Sequence, residues 1–93
     1  MDTLDKWSES MPKRIWIGEM SVQTTEETMI ERFGDFGTIE AAWIDKDSSG
    51  QSTGVGHVEY TTEQAGTDAI NAMNGQYFDG SPQPITVCPW PPT

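Results

Sequence analysis

Basic residues are the first scarcity in this chain: 5 Lys and Arg stand against 15 Asp and Glu, for a formal net charge of -10 over 93 residues. A chain so charged repels polyphosphates at long range, so any nucleic-acid contact has to be local and cannot come from a global basic field. The charge otherwise serves solubility or attracts a basic partner. Cysteine is equally scarce: Cys88 is alone, which excludes an internal disulfide and fits a reducing compartment, with the thiol inert. With a single histidine, His57, no ligand spacing for a metal exists and no cofactor is expected. Carboxylates are plentiful but nothing pairs them for acid-base work, so an enzyme is not expected. Asp45-x-Asp47-x-Ser49-Gly50 has the start of a calcium loop but lacks the glutamate at its twelfth position. No apolar run approaches the roughly 18 residues of a membrane span, and the acidic start is unlike a secretory signal. An intracellular monomer of the nucleus or cytoplasm, without a membrane partner, is the expectation.

What is present reads as one small domain with two tails. Residues 1–12 show neither helical nor strand period, and form a flexible lead-in whose Trp7 is either exposed or folded back. Arg14-Ile15-Trp16-Ile17 alternates as a strand before Gly18, with Ile15 and Ile17 inward and Trp16 outward. Thr24-Thr25-Glu26-Glu27 is a helix start, with a hydroxyl cap and acids in the first turn. Met29, Phe33 and Phe36 follow on one face, and Gly34 and Gly37 end the helix. Glu26, Glu27 and Glu31 form its solvated side. Residues 38–44 resume strand character, and the polar loop 45–52 reverses the chain into an antiparallel partner.

That partner, Thr53-Gly54-Val55-Gly56-His57-Val58-Glu59-Tyr60, places Gly56, Val58 and Tyr60 on one face and Val55, His57 and Glu59 on the other. A second helix starts at Thr61-Thr62-Glu63, carries Ala65, Ala69, Ile70 and Met73 on one stripe, and stops at Asn74-Gly75 with left-handed cap residues. Tyr77-Phe78-Asp79-Gly80 reads as a short hairpin arm. Pro84-Ile85-Thr86-Val87 is the last strand, placed at an edge by its prolines.

The order β-α-β-β-α-β defines an α+β, ferredoxin-like sandwich: two helices cover one face of a four-stranded antiparallel sheet and leave the other open. The predicted core comprises Ile15, Ile17, Met29, Phe33, Phe36, Ile39, Ile44, Val58, Tyr60, Ala69, Ile70, Met73, Ile85 and Val87, with the Tyr60 hydroxyl still able to reach water.

Over residues 13–88 the chain resembles the RNA recognition motif family. Ile15-Trp16-Ile17-Gly18-Glu19-Met20 is similar to the family's hexapeptide, and Thr53 to Tyr60 to its octapeptide. Residues 69–75 followed by Phe78-Asp79-Gly80 are similar to the family's second helix and its exit. Gly54, Gly56, Val58 and Tyr60 fit the octapeptide, whereas Thr53 replaces its basic residue and Val55 and His57 its first two aromatics. Glu19 stands at the hexapeptide's usual Asn. The chain is thus identified as an atypical acidic member with a degenerate octapeptide.

The resemblance implies an open face on which single-stranded RNA bases stack on aromatic platforms, each stack worth about 1 to 3 kcal/mol. It turns Ala42 and Ile44 to the core and Trp43 outward. Trp16 and Trp43 are the platforms, His57 is a smaller one, and Val55 and Thr86 complete the face. Lys13, Arg14 and Lys46 supply its positive charge, for a salt slope of only about -2. Weak binding of two or three nucleotides is the leading expectation. A basic or Trp-containing peptide is the alternative partner, although Gln76-Tyr77-Phe78 lacks the Arg of the family's peptide-gripping Arg-x-Phe element. A third possibility is that the Pro-rich tail, residues 89–93, folds back through Trp90 and caps the sheet.

Overall fold

The computed structural model describes residues 13–90; the readings of the lead-in and of Trp7 lie outside the described residues. Strand β1 spans Arg14–Gly18, helix α1 Glu26–Phe33, β2 Ile39–Lys46, β3 Ser52–Tyr60, helix α2 Glu63–Met73 and β4 Thr86–Pro89. All strand pairs are antiparallel, in the spatial order β2-β3-β1-β4. The βαββαβ sandwich expected from the sequence is the fold observed, with β4 on an edge.

Both helices begin where a hydroxyl can satisfy an orphan amide. Thr25 Oγ1 accepts from the Thr28 N–H at 3.2 Å, and Thr62 Oγ1 from the Ala65 N–H at 3.2 Å, each cap worth about 1 kcal/mol. Gly34 does not end α1 with a left-handed turn. It stays right-handed and continues into a 3-10 turn over Gly34–Phe36. At the end of α2 it is Gly75, with φ 87°, that takes the left-handed conformation, whereas Asn74 is extended. The Asn74 side chain instead accepts from the Val87 N–H at 2.9 Å. Together with two backbone bonds, Gly75 N–H to Ile85 O and Ile85 N–H to Gln76 O, it covers the outer edge of the last strand, as unpaired edges require.

The opposite edge, β2, is covered differently. Glu26 Oε2 accepts from the Ile44 N–H at 3.0 Å. Glu26, its side chain still 44% exposed, is therefore more than part of the solvated helix face that its position in the sequence suggested. The first turn of α1 delivers its carboxylate to a strand amide that has no neighbouring strand.

The core lies between helices and sheet. Ile15, Ile17, Met29, Phe33, Ile44, Val58, Tyr60, Ala69, Ile85 and Val87 are buried, and Phe36, Ile39, Ala42, Ile70 and Met73 pack against them half-buried. Ala65, on the apolar stripe of the second helix, is buried with them, and two buried members went unforeseen: Met20 and Phe78. The hairpin arm expected at residues 77–80 is a turn, with Asp79 and Gly80 both at positive φ. That turn swings Phe78 inward until its ring meets Phe33 edge-on, 5.5 Å between centroids. The Tyr60 hydroxyl does not reach water. It donates to Phe33 O at 2.6 Å inside the core, and burial pushes its pKa far above the usual phenol range.

One close approach explains a motif glycine. Gly54 sits at φ 83°, and a Cβ there would lie 2.8 Å from Met20 O, in backbone that returns a hydrogen bond from Met20 N–H to Gly54 O. Only glycine fits.

Candidate nucleic-acid interface

Alternation along four strands assembles one row of side chains on the face away from the helices. Trp43 pairs with His57, His57 with Trp16, and Trp16 with Cys88, so the row crosses the sheet from β2 to β4. Directly paired residues of adjacent strands project to the same face, which places both predicted platforms and His57 side by side.

Trp16 lies flat. A Cβ on Gly18 would fall 2.2 Å from the tip of the Trp16 six-membered ring, so the indole rests on the glycine's bare backbone with its outer side half-exposed. Gly18, two residues along the same strand, is what permits this pose. Thr86 is exposed and paired with Gly18, and so flanks that ring. Trp43 is 38% exposed and stands on the other side of the row.

His57 is not the open platform that the sequence suggested. It is only 7% exposed. Trp43 stacks on its ring, with centroids 5.0 Å apart and planes at 24°. Trp90 meets it edge-on at 4.7 Å and 66°, and Asp45 Oδ2 lies 3.4 Å from Nε2. Its Nδ1 is buried without a partner. Val55, on the same face two residues before it, is half-buried and offers no flat surface.

Positive charge is sparser than the sequence implied. Arg14 belongs to this face, but its Nε lies 3.5 Å from Glu59 Oε2. Lys46 is not gathered into the row: its Nζ turns to Glu26 at the start of α1, 3.9 Å away. Both pairs are half-exposed and therefore weak, yet each places a carboxylate where a phosphate would have to compete. Cys88 closes the row half-buried, and burial pushes its thiol pKa up, as suits an inert residue.

In the hairpin loop the Asp47 carboxylate is taken up by its own turn. Asp47 Oδ1 accepts from the Ser49 hydroxyl at 2.6 Å and from the Ser49 and Gln51 amides, and the hydroxyl bond first, then the amides, hold its pKa below the usual carboxylate range. Among the described residues no cluster of His, Cys, Asp or Glu could hold a metal, and no helix is long and apolar enough to cross a membrane.

Sequence reasoning missed three contributors. Gly18 as the bed of Trp16 carries no signal beyond its place in the hexapeptide. Asp45, read as the first residue of the polar loop, lies in β2 and touches His57. Glu19, at the hexapeptide's usual Asn, has φ 67°, a left-handed conformation that Asn tolerates better than Glu. The backbone requirement explains the residue type that the motif prefers there.

Comparison with known proteins follows the same lines. The family model described as "RNA recognition motif" matches residues 15–83. The chain is 39% identical over 74 residues to the chloroplastic Organelle RRM domain-containing protein 1 of Oryza sativa subsp. japonica, covering 78% of this chain and 18% of that protein. It is 37% identical over 68 residues to Glycine-rich RNA-binding protein 2 of Sorghum bicolor, covering 72% and 40%. It thus spans less than half the length of either relative. Among solved structures, a Sxl-lethal protein/RNA complex superposes with a TM-score of 0.78 at 27% identity, covering 86% of this chain and 49% of that one. The second RRM domain of yeast poly(U)-binding protein superposes at 0.74 and 25% identity, covering 86% and 95%. With its fold, its two strand motifs and its matched span in agreement, the chain belongs to the RNA recognition motif family of non-enzymatic RNA-binding domains.

Proposed function

We propose that the open face holds two or three nucleotides of single-stranded RNA, weakly, by stacking on Trp16 and Trp43. The observation that carries this reading is the pose of Trp16: an indole laid flat on Gly18 is a preorganised surface for a base, with no side-chain ordering left to be done on binding. Trp43 lies two strand spacings away, roughly 10 Å across the sheet, so successive nucleotides can reach both. Two stacks of about 1 to 3 kcal/mol each, with little charge behind them, correspond to dissociation constants between about 1 mM and 1 µM once modest additional contacts are counted. Relatives named for RNA binding support the same ligand class.

Arg14 is the cation best placed to meet a phosphate, in competition with Glu59. Titrating short single-stranded RNAs while following amide and indole N–H shifts tests the reading: movement at Trp16 and Trp43 supports it, and silence at both at low salt would sink it.

The peptide-gripping alternative has less support, because Phe78 of the Gln76-Tyr77-Phe78 element is fully buried against Phe33. A basic peptide remains favoured by the net charge of -10; recovery of a partner that survives nuclease treatment would establish it. Capping of the sheet by its own tail is supported at one position, where Trp90 meets His57.

A further inference from the structure

Side chains two apart on a strand share a face, so the neighbours of Trp43 along β2 are Ala41 and Asp45. Ala41 has no polar side-chain atom. Asp45 is therefore the hydrogen-bonding side chain that this strand sets beside the platform, and its contact with His57 confirms the face. Both side chains are anchored on one imidazole: Trp43 stacks on the His57 ring at 5.0 Å, and Asp45 Oδ2 lies 3.4 Å from His57 Nε2. Held there, the Asp45 side chain stays 44% exposed.

Its bonding capacity is largely unspent. The His57 contact is long for a hydrogen bond and takes one of about four lone-pair positions on the carboxylate. The Thr53 hydroxyl donates at 3.2 Å to the Asp45 backbone O, which braces the strand without using the side chain. Lys46, next along the chain, turns its Nζ to Glu26.

We propose that Asp45 reads the base that stacks on Trp43 and selects guanine. The proposal deepens the reading of this face as an RNA site and rests on it. An ionised carboxylate only accepts hydrogen bonds, so what it can pair with on a base edge is an N–H group. Guanine carries N1–H and a 2-amino group side by side, which match the two carboxylate oxygens as a parallel pair of charge-assisted bonds. Adenine and cytosine offer one amino group beside a ring nitrogen that is itself an acceptor. Uracil offers one N3–H between two carbonyl oxygens, which the carboxylate repels. Attraction to guanine and repulsion of uracil act in the same direction. The acidity that opposes phosphates on this face becomes, at Asp45, the source of base choice.

The test uses pentauridylates whose central base is guanine, hypoxanthine, adenine or uracil, titrated into the full chain and into Asp45→Asn and Glu59→Gln. In the parent, central guanine should bind about 5- to 20-fold more tightly than central uracil. Hypoxanthine, which keeps N1–H and lacks the amino group, should fall between them. Asp45→Asn should bring the four probes within about 2-fold of one another, because an amide both donates and accepts. Glu59→Gln removes the acid that faces Arg14; it should raise affinity for all four probes alike and leave their ranking intact. The parent's ranking is a test in itself, even where a variant loses stability. Uracil bound as tightly as guanine, a guanine preference that survives Asp45→Asn, or one lost equally in Glu59→Gln would overturn the assignment to Asp45, with Trp16 and Trp43 still responding. Silence at both indoles with every probe would overturn the RNA reading beneath it.

Discussion

The two faces of this sheet are made by the same strands and held by different physics. On the face toward the helices, Ile15, Ile17, Val58 and Tyr60 are covered by side chains from α1, α2 and the turn that carries Phe78. Each is confined in three dimensions. On the opposite face, Trp43, His57 and Trp16 stand in one row, with Trp43 stacked on His57, and the one described group lying across them is Trp90. Close packing makes the first face intolerant of change, whereas Trp43 and Trp16 on the second keep part of their ring surface exposed. A ligand site on a domain this small has to be built from the face that is not needed for the fold.

The separation can be broken or sharpened by mutation. The largest effect belongs to the core: Phe78→Ala should cost about 3 to 5 kcal/mol in urea unfolding, while the folded fraction keeps the parent's RNA affinity. A cost below about 1 kcal/mol would mean that the buried turn is not part of the core. Next comes Trp16→Ala, which should lower RNA affinity by about 1 to 3 kcal/mol with a smaller change in stability. Equal losses in both measurements would erase the distinction between the faces.

Edge chemistry ranks third. Glu26→Ala leaves the Ile44 amide without its acceptor and should cost about 1 to 2 kcal/mol of stability, while RNA affinity does not fall, because Lys46 loses the carboxylate it faces. The smallest change is a gain: Glu19→Asn, by easing the left-handed backbone at φ 67°, should stabilise the fold by about 0.5 to 1 kcal/mol. The salt dependence of RNA affinity should also be shallower than a log-log slope of about -2, because Lys46 faces Glu26 and Arg14 faces Glu59.

The fold was legible because period and punctuation agreed. Thr25 and Thr62 cap as hydroxyls before acids should, and the alternation of Ile15, Trp16 and Ile17 assigns both faces of β1 without reference to any partner. What escaped notice depended on tertiary placement. Phe78 has no periodic neighbours, and only the two left-handed residues Asp79 and Gly80 that follow it turn the chain so that its ring enters the core. Glu26 looks like any first-turn acid until the edge of β2 is brought beside it. His57 occupies a platform position by alignment, yet its burial depends on Trp43 on the preceding strand and Trp90 past the end of β4. Lys46 reads as a strand-end cation, and the register shift between Ile44 and Lys46 separates its course from that of the aromatic row. Period assigns a side chain to a face; it does not say what else will arrive there.

The central claim is that stacking on the open face, and not charge, holds the ligand. The most direct measurement is the indole N–H resonances of Trp16 and Trp43 during titration with single-stranded RNA, at low salt and again at high salt. Both resonances should move, with an affinity that falls only slightly as salt rises. Resonances that stay fixed while signals from the helical face shift, or an affinity that collapses with salt, would contradict it.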